Sequence, residues 1–199
     1  MVRPEVSERV AAAAEALARD AGLTVVDLDV KFPKLDVAWA LGNLSGLRQD
    51  LEGLWPDCKD LLTPEIAFGL EMAEQLVSLE TNARGEATRT AANEAMADIF
   101  DQVDVLICAT NPDVAFPAHI TTNTRVGDQK VDLGNNGALT IPANICGNPP
   151  VSVPVEPFEG LPVGMQMIGR HHQDQLLLDL ALRVEQTCPW PLVAPGAPL

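Results

Sequence analysis

Cleaving a carbonyl compound with a side chain requires a nucleophile held beside a base. Few residues of this sequence qualify. Its serines are Ser7, Ser45, Ser78 and Ser152, and its lysines are Lys31, Lys34, Lys59 and Lys130. No two serines are adjacent, and none sits in a glycine-rich loop. Ser152 lies in Val151-Ser152-Val153-Pro154, which reads as a strand without the glycine elbow that presents a nucleophile. Its hydroxyl is expected to be a buried strand hydroxyl. His119, beside Pro117 in a polar stretch, lacks a partner Ser or Cys to activate. His171-His172 with Asp174 suggest metal ligands at first sight, but adjacent side chains point apart, so a solvated turn is expected and no metal. Cys58, Cys108, Cys146 and Cys188 are far apart and form no CxxC pair. They read as buried free thiols, not as disulfides or metal ligands. No cofactor is implied.

The elements that would position such residues read as an α/β alternation. Pro4 suits a first helical turn. Val6, Val10, Ala13, Leu17 and Ala21 then make one apolar stripe, and Gly22 stops the helix. In Leu23 to Val30, Val26, Leu28 and Val30 alternate with Asp27 and Asp29, which predicts a strand. Helix is expected within 35–54, despite Gly42, Gly46 and Gly53. Thr63-Pro64-Glu65 predicts a helix start running to about Leu79, and a second helix is expected over Asn82 to Phe100. Val103 to Ala109 is apolar apart from Asp104 and reads as a strand buried on both faces. Residues 110–142 carry no period and read as a long loop. Strands are expected at Pro150 to Val155 and Val163 to Ile168, with Gly160-Leu161-Pro162 turning between them. A last helix is expected over Gln173 to Gln186, with Leu176, Leu177, Leu180 and Val184 on one face.

The bulk properties bound the function. The 199 residues carry a net charge of −15, which argues against nucleic acid and against an anionic membrane surface. Neither a signal peptide nor a spanning apolar run is found, so a cytoplasmic location is expected. The mean hydropathy of +0.08 is high beside that charge and leans towards an uncovered apolar face.

The final third resembles the amidase signature family. The residues that carry the resemblance are Asn144, Gly147 and Pro149, then Val151-Ser152-Val153-Pro154, then Gly160-Leu161-Pro162-Val163-Gly164 with Gln166 and Gly169. Asp174, Leu176 and Leu177 at the start of the last helix and Pro189-Trp190 also fit, as does Asp104 to Pro112 upstream. The resemblance implies an α/β fold, the carboxy-terminal part of an α/β/α sandwich with a mixed β-sheet. Residues 1–199 would form a single domain, the carboxy-terminal part of an amidase domain. It also implies hydrolysis of amide bonds. The family cleaves amides with a Ser, a cis-Ser and a Lys in its amino-terminal half, and no residue here matches them.

By resemblance, then, the chain supplies scaffold and part of a substrate pocket and is inactive alone. The catalytic set is empty, and Asn135, Asn136, Gly137, Thr140 and Asn144 are the pocket candidates. Glutamine-using members carry an Asp where this sequence has Gly137, so a simpler amide is expected. The implied partners are a small amide substrate once joined to a catalytic half, and a second copy or partner chain on an exposed apolar face. The alternative is a non-catalytic binding or interaction module derived from the amidase scaffold.

Overall fold

The computed structural model describes residues 1–34, 37–120 and 123–191. They fall into two compact units, Met1–Val30 with Ala97–Leu199 and, between them in sequence, Lys31–Met96.

The first unit is built on a three-stranded sheet. Its strands are β1 (Val105–Ala109), β4 (Pro150–Phe158) and β5 (Leu161–Gly169), in the order β1-β5-β4. Both pairings are antiparallel. Val105 lies opposite Gly169 on one side of β5, and Val151 opposite Met167 on the other. Helices α1 (Pro4–Ala21) and α6 (Asp174–Thr187) pack against the sheet and against each other. Strand alternation divides the side chains between two faces. Val153, Val163, Met165, Met167 and Ala109 join Val6, Val10 and Leu17 of α1 and Leu177, Leu180 and Val184 of α6 in one core. Met165 and Met167 are wholly buried, and burying such a side chain contributes about 1.5–3 kcal/mol. The expected stripes of both helices are therefore the ones that pack.

The opposite sheet face carries Cys108, Ser152, Gly164 and Gln166. Gln166 is buried, and its Nε2 donates to the Leu139 carbonyl at 2.9 Å and to Cys108 Sγ at 3.4 Å. This amide ties the chain before α5 (Ile141–Cys146) to the middle strand. Gly147 ends α5 at φ 69°, and Asn144 Nδ2 donates back to the Thr140 carbonyl at 3.0 Å. The Asn-x-x-Gly motif thus closes a single helical turn. Asn148 follows, 5% exposed, and its Nδ2 donates to the Gly169 carbonyl at 2.8 Å.

The β4–β5 hairpin turns on Glu159 (φ 52°) and Gly160 (φ 75°), with Phe158 opposite Leu161. Two successive left-handed residues twist as the flanking strands do. The turn therefore precedes the expected Gly160-Leu161-Pro162, and both strands run to nine residues.

Other expectations need correction. Leu23 to Val30 is not a strand. Its apolar residues Leu23, Val25, Val26 and Val30 are exposed, and no strand lies beside it among the described residues. Alternation creates a strand only where a neighbour takes up its hydrogen bonds. β1 is not buried on both faces either. It is an outer strand in which only Ala109 is buried. The long loop contains a small hairpin, β2 (Arg125–Val126) with β3 (Gln129–Lys130), and a 3-10 turn at Leu133–Gly137.

The second unit is helical. It holds α2 (Val37–Asp50), α3 (Pro64–Leu76) and most of α4 (Leu79–Phe100). Residues 35 and 36, where the first of these helices was expected to begin, lie outside the described residues. Trp55 Nε1 and Arg48 Nε both donate to Glu74 Oε1, at 2.7 and 3.2 Å. Ser78 separates α3 from α4: its N–H donates to Thr81 Oγ1 while the Thr81 N–H donates to Ser78 Oγ. That reciprocal cap starts the second helix at Leu79, three residues before the expected Asn82.

Replacing Gln166 by Leu removes the donor and leaves the Leu139 carbonyl without its bond. A loss of about 1–3 kcal/mol is expected in urea unfolding. An unchanged midpoint would show that the tie carries no stability.

Candidate substrate groove

A groove of about 320 Å³ opens where the chain leaves β1. Val6, Pro112, Val114, Phe116, Pro162 and Val163 give it apolar walls, and Asn111, Asp113, Asn123 and Asn136 supply polar atoms. An apolar hollow with a few fixed polar groups is the common form of a small-molecule site.

The polar wall is held from α1. The Arg3 N–H donates to the Pro112 carbonyl at 2.8 Å. The Arg3 guanidinium meets Asp113 Oδ1 at 3.3 Å, Glu159 Oε1 at 3.4 Å and Glu5 Oε2 at 3.3 Å. It also lies over the Phe158 ring, 4.5 Å from its centroid, and Arg9 approaches the same ring at 4.8 Å. Burial works against the Arg3 charge, but the hydrogen bond and attraction of Asp113, with Glu159 and Glu5, outweigh it and raise its pKa. Asp113 is committed elsewhere too: Oδ1 accepts from the Val114 N–H at 2.8 Å and Oδ2 from the Gly127 N–H at 2.7 Å. A carboxylate with this many partners is a brace for the loop and not a base.

Beside the groove, Thr110 Oγ1 and Ser152 Oγ share a hydrogen bond of 2.6 Å. Gly164, a groove residue, lies beneath them. A Cβ there would stand 2.6 Å from Thr110 Oγ1 and 3.0 Å from Ser152 Oγ. Ser152 is exposed, contrary to the buried hydroxyl expected for it, because nothing among the described residues covers that end of the sheet face.

Of the pocket candidates, Asn136 lines the groove, and its Nδ2 donates to the Asn123 carbonyl at 3.1 Å. Gly137, Thr140 and Asn144 do not line it. A side chain at Gly137 would collide with that of Ile141. Thr140 and Asn144 hold α5, and Asn135 Oδ1 accepts from the Met1 amino group at 2.9 Å. His171 Nε2 donates to the Cys146 carbonyl at 2.7 Å, so the ring braces the end of α5. Sequence reasoning missed Arg3, Asp113 and the Thr110–Ser152 pair. The one available signal was Asn111-Pro112-Asp113 directly after an apolar strand, since loops at strand ends often carry function.

Three measurements test the packing of this unit. Gly164→Ala forces the hydroxyl pair apart and should cost about 1–3 kcal/mol in thermal or urea unfolding; an unaltered midpoint would mean that the pair moves freely. Burial pushes the Cys108 thiol up, against a hydrogen bond from Gln166 that lowers it, and burial pushes the Cys146 thiol up. A folded pKa above the unfolded value keeps its stabilisation below about pH 8.5 and loses it as pH rises from there through the folded pKa. The unfolding midpoint should fall over that range. Of the four thiols expected to be buried only Cys146 is; Cys58 and Cys108 are partly covered and Cys188 is exposed, so at pH 8 a thiol reagent should label Cys188 first in the native protein, Cys108 more slowly, and Cys146 only on unfolding.

Comparison with known proteins places these observations. A relative, a glutamyl-tRNA(Gln) amidotransferase subunit of Thermosynechococcus vestitus, is 42% identical over 108 residues, which are 54% of this chain and 21% of the relative. Among solved structures, a bacterial aryl acylamidase of the amidase signature enzymes matches all of this chain and 44% of its own, at 21% identity and a TM-score of 0.77. A vestigial protein complex that bears on the origin of an s-triazine catabolic enzyme matches 94% of this chain and 40% of its own, at 21% identity and a TM-score of 0.67. The chain thus spans a fifth to under half of the proteins it matches. The Amidase family model matches residues 1–178, and the chain belongs to that family.

Proposed function

We propose that this chain supplies scaffold and part of the substrate pocket of an amidase-type hydrolase of carbon–nitrogen bonds and has no amide-cleaving centre of its own. The observation that carries this reading is the pairing of Ser152, whose hydroxyl lies beside Gly164 of the groove lining. Its hydroxyl bonds to the Thr110 hydroxyl, a group with no basic nitrogen to take its proton. Ser45 donates to the Leu41 carbonyl and Ser78 caps α4, so neither is placed for attack.

The groove would hold the part of the substrate that does not react. Its apolar walls suit an acyl or aryl group, and Asn136 and Asn123 offer amide dipoles to an amide. Position 137, where glutamine-using relatives carry an acid, is glycine, with Ile141 in the space beside it. That favours a simple amide without a charged amino group. Nothing here calls for a cofactor.

The alternative, a non-catalytic interaction module, has its own support. Leu178 and Leu182, one turn apart on α6, are 62% and 49% exposed, and Val25 is 68% exposed. Surfaces of this kind mark association sites. No described helix is long and apolar enough to cross a membrane.

The test is hydrolysis of an aryl nitroanilide and of simple amides by the purified chain. No turnover above background is expected. Saturable hydrolysis that Ser152→Ala abolishes would overturn the reading.

A further inference from the structure

Of the nine asparagines, only Asn136 is followed by glycine. The neighbour matters because the backbone nitrogen of the next residue can attack an asparagine side chain. This makes asparagine one of the thermolabile residues. A side chain on the attacking residue crowds the approach, and glycine has none. Asn111 and Asn148 precede proline, whose nitrogen carries no hydrogen and cannot close the same ring.

The packing keeps this labile pair in place. A Cβ at Gly137 would stand 2.9 Å from Ile141 Cγ1 and nearer still to its Cδ1, so a side chain there must displace the first residue of α5. Asn136 has a definite task beside it. It is half-buried in the groove lining, and its Nδ2 donates to the Asn123 carbonyl at 3.1 Å. Asn123 leads into the β2–β3 hairpin. Its Oδ1 accepts from the Arg125 N–H at 3.1 Å, and the Val131 N–H closes the hairpin on the Thr124 carbonyl at 2.9 Å. At the turn, the Gly127 N–H donates to Asp113 Oδ2 at 2.7 Å. Asn136 and Asp113 thus tie the two ends of the hairpin to the groove.

We propose that Asn136 is a deamidation site and that its conversion unties the β2–β3 hairpin from the groove. The Gly137 nitrogen gives up its proton and bonds to Asn136 Cγ. The Cγ–Nδ2 bond breaks, and Nδ2 leaves as ammonia with that proton. Water then opens the cyclic imide at either carbonyl, which yields aspartate or isoaspartate. Water is the one co-reactant, and no oxidant takes part. Asn136 lies in the 3-10 turn Leu133–Gly137, so the native chain reacts through local opening of that turn. The product carboxylate has no N–H to donate. It sets a negative charge against the Asn123 carbonyl oxygen, and a hydrogen bond gives way to repulsion. The lining then holds two acids, because Asp113 is already one of its residues. The step uses only this chain's atoms and water, so it does not depend on what the groove binds.

The experiment holds the purified native chain at mildly alkaline pH in water enriched in heavy oxygen, and maps its peptides by mass. Asn136 is expected to convert at least about ten-fold faster than exposed Asn82 or Asn93, whose neighbours carry side chains. The product should carry one heavy oxygen and appear as both aspartate and isoaspartate. Amide exchange then reads the hairpin. In the converted chain the Arg125 and Val131 amides should exchange about five-fold faster, as the loss of one hydrogen bond implies, while the Thr110 amide, bonded to the Gly164 carbonyl, stays as it was. Asn136→Asp made directly should show the same exchange, and Asn136→Gln should lose the conversion. If either variant does not fold, the unaltered chain decides. Conversion at Asn136 no faster than at Asn82 or Asn93, a product without heavy oxygen, or a converted chain whose hairpin amides are unchanged would each overturn the proposal. Because none of these readouts involves turnover, they leave the functional reading untouched.

Discussion

Everything in the first unit is referred to the alternation of β5. One set of its side chains, Val163, Met165 and Met167, enters the core with α1 and α6. The other set, Gly164 and Gln166, faces the segment that leads to α5 and the hydroxyl pair. A slip of one residue would put Gln166 among the leucines of α6 and both methionines outside. The register is therefore held twice over, by the apolar core on one face and by a buried amide that finds its partners only on the other. The groove depends on the same constraint, because Pro162, Val163 and Gly164 form one of its walls.

The second constraint is charge. A chain with an excess of acids uses one of its few cations, Arg3, to gather Asp113, Glu159 and Glu5. Each contact fixes a different part of the groove's surroundings: Asp113 the loop after β1, and Glu159 the hairpin turn. Glu159 occupies a left-handed conformation that non-glycine residues seldom adopt, and its ion pair with Arg3 offsets part of that cost. Exposed pairs of this kind contribute little singly. Here Arg3 is mostly covered and also stacks on Phe158, so the network acts as a clamp between the first helical turn and two loops far away in sequence.

The helices and the family were legible in the sequence because their signals are local. The Val6, Val10, Leu17 stripe, the Pro64 start and the Gly22 stop need no partner to be read. The residues that carry the family resemblance turn out to be architectural: Asn144 and Gly147 close α5, and Gly164 makes room for two hydroxyls. What could not be read was whatever depends on a distant neighbour. Leu23 to Val30 has the composition of a strand and lacks the neighbour. Arg3 and Asp113 are 110 residues apart, and nothing in either stretch announces the other. The pocket candidates were placed by resemblance to one segment, and that segment spends most of its polar groups on holding α5.

The same logic separates the two edges of the sheet. Pro150 and Pro154 cost β4 nothing, since their missing donors would have pointed away from β5. Their presence marks that edge as a permanent boundary. On β1 the outward positions are Val, Ile and Ala, residues that favour or tolerate pairing and do nothing to prevent it. Leaving such an edge bare invites aggregation, which soluble proteins avoid with proline, charge or cover. β1 has neither proline nor charge. The hydroxyl pair and the groove lie at the end of this same strand.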